Sequence, residues 1–209
     1  MITRREILYL AGGLVLLPLL SRLALADAAA GSVVAVHGQC VSEKQGRSVP
    51  LKTGDAVAVG DTITVPADGK LKLRMGDGSV ISLASGTRMT VAAYQTDASG
   101  QRQNAELSLA QGLLRAVVAP VDHPSKFEVS TAVGTAAVRS TDWFIEIQPN
   151  GTQVGVLTGT VSLSSRATGR AVTIPTRWGA RLEAGRDPVL GRVWAPAEFQ
   201  AVISRTDVP

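Results

Sequence analysis

Few residues in this chain are of the types that carry chemistry alone. It has one cysteine, Cys40, and two histidines, His37 and His123, in 209 residues. His37 and Cys40 stand three positions apart, a spacing that turns side chains of extended backbone to opposite sides and disfavours a thiolate–imidazole dyad. A single cysteine closes no intrachain disulfide, and its expected place is a small buried one. No C-x-x-C or H-x-x-x-H pair supplies metal ligands. The segment "GDGS" (76–79) offers one carboxylate where calcium needs several oxygens. The segment "GTAAVRST" (134–141) lacks the glycine and lysine spacing of a phosphate loop, and no G-x-S-x-G elbow occurs. These residues therefore predict no catalytic, cofactor or metal site, and a chain that is not an enzyme.

What remains is binding chemistry. Arg139 and Asp142 sit beside Trp143 in "TAVGTAAVRSTDWFIEI" (131–147). They read as an exposed contact for a partner or as an internal ion pair that locks this strand to a neighbour. Trp143, in an otherwise apolar run, is expected in the core. Trp178 and Trp194 lie near arginines, the pairing that interface hot spots use, and the alternative for both is packing in a core or cap. If Tyr94, Trp178 and Trp194 shared one exposed face they would stack on sugar rings. The charge is +4, spread without a basic block, so a pI of 9.6 does not point to nucleic acid.

The elements that must position these side chains read as strands. After residue 31 the chain alternates apolar and polar residues in "AVAVGDTITV" (56–65), "KLKLRMGDGSVISL" (70–83), "AELSLAQGLLRAVV" (105–118), "TQVGVLTGTVSLSS" (152–165) and "AVTIPTRWGARLE" (171–183). Glycines interrupt such runs at Gly38, Gly60, Gly86, Gly112, Gly159 and Gly179. A glycine inside a strand pattern lets the chain turn a corner, so short strands joined at corners would stack into a solenoid-like all-β body. A β-sandwich is the alternative. Turns are expected at "PADG" (66–69), "MGDGS" (75–79), "DASGQ" (97–101) and "PNG" (149–151). The segment 183–194 reads as an irregular link. The segment "APAEFQAVISR" (195–205) reads as a short amphipathic helix that would cover an open end of the stack.

The first 26 residues read as an export signal. Arg4 and Arg5 precede an apolar run, Ile7 to Leu20, that is shorter than the ~20 residues a membrane span needs. Ala24-Leu25-Ala26 then sets a cleavage point between Ala26 and Asp27. "TRREIL" resembles the twin-arginine motif of bacterial export, with Ile7 where Phe or Leu is usual. The expectation is a periplasmic protein that meets a membrane only through this segment, if uncleaved. The expected division is a signal over 1–26, a β domain over 27–185, and a link with a short helix over 186–209.

In order, "GSVVAVHG", "LKTGDAVAVGDTITV", "KLKLRMGDGSVISLASGTRM", "LSLAQGLLRAVV", "KFEVSTAVGTAAVRSTDWFIEI" and "TQVGVLTGTVSL" resemble the FecR periplasmic domain, over roughly residues 31–182. The resemblance implies a β-solenoid-like stack and a role in periplasmic protein contact, as in regulators of iron-transport signalling. The family's Val-Arg-Gly-Thr is Val138-Arg139-Ser140-Thr141 here, so positive φ is not expected at 140 and the stretch is expected to run as a plain buried strand. Trp143 and Ile145 should then share one face, and Phe144 and Glu146 the other. Unlike those regulators, the chain is expected to lack a helical region ahead of its apolar segment and a second folded domain after the repeats. The expected function is therefore a non-catalytic protein-binding or regulatory module with an envelope protein as partner. The alternative is a carbohydrate or cell-wall binding scaffold.

Overall fold

Strand after strand in this chain is apolar on one face only, and a single sheet would leave that face wet. The computed structural model describes residues 29–208 and resolves the problem with two sheets around one core. The segment read as an export signal and its expected cleavage point, with Arg4, Arg5, Ala26 and Asp27, lie outside the described residues.

The elements in order are β1 Ala29–His37, β2 Val41–Lys44, β3 Arg47–Pro50, β4 Ala56–Ala58, β5 Thr62–Thr64, β6 Lys70–Met75, β7 Val80–Leu83, β8 Arg88–Thr96 and β9 Arg102–Gln111. Next come β10 Leu113–Val117, β11 Lys126–Ser130, β12 Gly134–Val138, β13 Asp142–Gln148, β14 Gly151–Thr158, β15 Thr160–Ser165, β16 Ala171–Pro175, β17 Trp178–Leu182, β18 Val189–Val193 and α1 Pro196–Thr206. Sheet I runs β18-β17-β14-β13-β10-β7-β6-β1-β4, and sheet II runs β16-β15-β12-β11-β9-β8-β5-β2-β3. All pairings are antiparallel except β9 with β11.

The chain passes repeatedly from one sheet to the other, and glycines make many of those corners. Gly38, Gly60, Gly86, Gly112 and Gly159 all have positive φ and sit where the chain changes sheet. Gly112 shows why no other residue serves: an added Cβ would fall inside the Thr87 side chain. Neighbouring corners are tied by hydrogen bonds. Val118 N–H donates to Thr141 O at 3.0 Å, Thr141 Oγ1 to Thr160 O at 3.2 Å, and Gly159 N–H to Thr176 Oγ1 at 3.0 Å.

Four sequence readings need correction. Gly179 is no corner: it lies within β17 without positive φ, and the corner there is Arg177, at φ 69°. The glycine is needed because the Trp194 indole lies where a Cβ would be. The 131–147 stretch is not one strand but β12 in sheet II and β13 in sheet I, joined at 139–141, with Ser140 free of positive φ as expected. The segment 183–194 is not wholly irregular, since it holds β18. Finally, α1 forms as read but covers no end of the stack. It packs on the outer face of sheet I, placing Phe199 and Val202 against Ala84, Leu113 and Phe144.

The reason for that placement is the phase of β13. Trp143 and Ile145 point into the shared core, while Phe144 points outward and needs its own cover. Burying Phe199 and Val202 supplies roughly 1.5–3 kcal/mol each. Ion pairs fasten the helix end: Lys72 Nζ lies 2.8 Å from Asp207, and Lys70 Nζ donates to the Ser204 and Asp207 carbonyls. No described helix is long and apolar enough to cross a membrane.

Candidate interaction surface

The nucleophile and metal-ligand types do not converge. Cys40 is buried, and its Sγ lies 3.5 Å from the His37 carbonyl and 3.6 Å from the Lys70 carbonyl. Burial, with Asp68 nearby, pushes its thiol pKa up, the opposite of what a nucleophile needs. The His37 side chain is exposed at the end of β1. His123 faces Asp97 across the 97–101 turn, Nε2 to Oδ2 3.5 Å. Among the described residues no group of three or more His, Cys, Asp or Glu could hold a metal ion.

Arg139 and Asp142 do not pair with each other. Asp142 receives a two-pronged contact from Arg115 on β10, Nε at 3.0 Å and Nη2 at 2.8 Å, so it does lock β13 to its neighbour. Arg139 is exposed at the β12–β13 corner, and its carbonyl, not its guanidinium, is engaged. Trp143 is fully buried.

The group that donates to the Arg139 carbonyl is one the sequence does not announce. Arg102, at the start of β9, is fully buried with Asp77 of the β6–β7 hairpin, and the two form an ion pair. Arg102 Nη2 also donates to the carbonyls of Arg139 (3.0 Å) and Ala119 (3.2 Å), and the guanidinium stands 5.4 Å over the Phe127 ring. Asp77 accepts from Tyr94 Oη at 2.7 Å and from the Ser79 N–H and hydroxyl at 2.9 and 2.8 Å. Burial and Asp77 push the Tyr94 phenol far up. With both charged side chains buried and paired, this cluster staples sheet II to sheet I; it offers no reactive group. Its only sequence trace is the "DGS" turn, because its partner stands 25 residues away.

Trp178 and Trp194 come together around β17 without forming a platform. Trp178 is half-buried against the shared core, as is Tyr94. Trp194 lies on the opposite, outer face of sheet I, with ring centroids 5.1 Å from Phe144 and 5.4 Å from Phe199. The three aromatics a sugar site would need do not share a face.

Beside Trp194 lies an open groove of about 800 Å³, walled by β17, β18 and the start of α1. Its floor is Gly179 and Ala180, and its rim carries Arg181, Arg186 and the Arg192–Glu198 pair, 2.6 Å apart. Arg192, with the Ala195 N–H, holds the Glu198 carboxyl down at about 2. The outer rim strand is β18, where Val189 is 64% exposed. The groove has shape, charge and apolar surface but no acid–base pair aimed at a common point. What it can do is bind.

Comparison with known proteins agrees with this architecture. Residues 61–162 match the sequence model described as FecR protein, so the resemblance holds over a narrower span than 31–182. Two solved structures of a proposed anti-sigma factor from Parabacteroides distasonis share the fold. One aligns at a TM-score of 0.52 with 15% identity, covering 63% of this chain and 59% of that one. The other aligns at 0.56 with 14% identity, covering 68% and 64%. The chain thus spans about three-fifths of those solved chains. No curated protein matches it.

Proposed function

We propose, from a chain whose residues 61–162 are of FecR type, that the protein is a non-catalytic regulatory module that works by binding another protein. The observation that carries this reading is the end of sheet I: an edge strand with exposed apolar side chains beside a groove that lacks reactive groups. Edges of this kind recruit extended segments through main-chain hydrogen bonds. The fold likeness to a proposed anti-sigma factor supports a signalling role. The tied corners support a solenoid-like stacking of the two sheets, which would give a stiff body suited to presenting one end.

We place the module in the bacterial periplasm, exported through the twin-arginine signal over 1–26 and released between Ala26 and Asp27. On this reading 27–185 forms the FecR-like domain, and 186–209 supplies β18 and the helix that shapes the groove. The partner is an envelope protein. The immobilised chain from Asp27 onward, exposed to periplasmic extract and then crosslinked, tests this. Specific recovery of an envelope receptor or regulator is the expected result. Recovery of wall fragments alone would replace it with the carbohydrate-binding reading.

A further inference from the structure

We propose that β18 and the groove beside it dock an extended segment of the partner whose residues alternate between acidic and apolar, and that this segment joins sheet I as a further strand. The inference rests on the protein-binding reading above and names its site and chemistry.

Backbone comes first. β18 ends sheet I, so one of its edges pairs with no strand among the described residues. The other sheet ends are blunted: β4 has three residues, β3 carries Arg47 and Pro50, and β16 closes on Pro175. β18 instead exposes Val189 (64%), Leu190 (37%) and Val193 (47%).

Side-chain phase then fixes what the incoming strand must look like. Leu190 pairs with Ala180, and Val193 with Trp178, both of which face the shared core. Leu190 and Val193 therefore continue the core's inner surface past the edge of the sheet. A strand added about 4.8 Å farther out covers them only if its inward residues are apolar. On the other face Val189 pairs with Arg181. Of the charged groups lining the groove, Arg192 is engaged by Glu198, and Asp187 lies 3.6 Å from Arg170. Among the described residues, Arg181 and Arg186 are left exposed without an ion pair, against one carboxylate, Glu183. The unmatched charge is cationic, so the outward residues of the added strand are acidic.

The test is fluorescence anisotropy with two labelled probes, a capped octapeptide of alternating Glu and Val and its Lys–Val counterpart. The acidic probe should bind and the basic one should not. Arg181→Glu with Arg186→Glu should weaken binding about tenfold or more. Leu190→Ser with Val193→Ser, which strips the apolar ledge without adding charge, should weaken it too. Arg47→Glu at the far end of sheet II should leave it unchanged. Equal binding of both probes, or indifference to the double reversal, overturns the proposal. So does a concentration-dependent dimer that disappears in the Leu190→Ser/Val193→Ser chain, which would give the edge to a second copy. Photocrosslinking in periplasm separates this site from the broader reading. Benzoylphenylalanine at Val189 should trap the same protein that crosslinking to the unmodified chain recovers. An adduct only from Ser130, on the outer face of sheet II, overturns the site and keeps the reading; none from either position overturns both.

Discussion

Replacing Arg102 with Met tests the staple between the sheets. Both side chains of the Arg102–Asp77 pair are fully buried, so the substitution strands the Asp77 carboxylate where water does not reach it. It also removes the donor to the Arg139 and Ala119 carbonyls. Breaking a buried pair from one side costs roughly 3–5 kcal/mol, and the stranded carbonyls fall within that range because their costs overlap. For a chain of this size each kcal/mol moves the midpoint by about 2–4 °C, so Tm should drop by roughly 6–20 °C. Urea unfolding of the two proteins measures the difference, with the slope checked for constancy. Adding Asp77→Asn removes the stranded charge and should restore about 1–3 kcal/mol, because a neutral pair no longer opposes burial. A loss below about 1 kcal/mol for Arg102→Met, or no recovery in the double variant, would refute the claim that the pair staples the sheets.

Other perturbations follow from the same geometry. Gly112→Ala meets both positive φ and Thr87, whereas Gly78→Ala meets positive φ alone with nothing within 4 Å. Thermal unfolding should show Gly78→Ala costing about 1–2 kcal/mol and Gly112→Ala clearly more. Arg177→Gly should raise stability by about 0.5–1 kcal/mol in urea unfolding, since it relieves a left-handed conformation in an exposed arginine. Acid should loosen α1. The carboxyl of Glu198 is lowered from an ordinary 4.5 to about 2, and Lys72 lowers that of Asp207. Groups lowered on folding stabilise above their unfolded pKa, and that support is lost as pH falls through the folded one. Trp194 emission, taken as the difference between a Trp178→Phe chain and a Trp178→Phe/Trp194→Phe chain so that Trp143 cancels, should therefore change between about pH 4.5 and 2, and Glu198→Gln should flatten much of that change.

Much of the fold was legible because glycine and alternation have direct physical meanings. Five glycines read as corners are corners, and the turns at 75–79 and 97–101 are hairpins. Alternation shows which side chains are buried but not which sheet a strand joins, so the break inside 131–147 stayed hidden. Gly179 misled because close approach to Trp194 and a corner demand the same residue. Arg177 was invisible because an arginine seldom adopts positive φ. β18 hid in "RDPVLGRV", where proline and glycine dilute the pattern, and with it went the groove. Of the two tryptophans read as contact candidates, Trp194 lines the groove and Trp178 packs on the core side of β17. Of the Arg102–Asp77 staple only the "DGS" turn was legible, since a buried ion pair is a matter of distance in space and Arg102 stands 25 residues from Asp77.

Hydrogen exchange on the chain, alone and bound to the protein it captures, tests most directly that this molecule acts through its open edge. The account predicts that slowed exchange concentrates in Val189–Val193, with little change in β3 and β4 at the far ends of the sheets. Slowed exchange confined to those far strands, with Val189–Val193 unaltered, would contradict it.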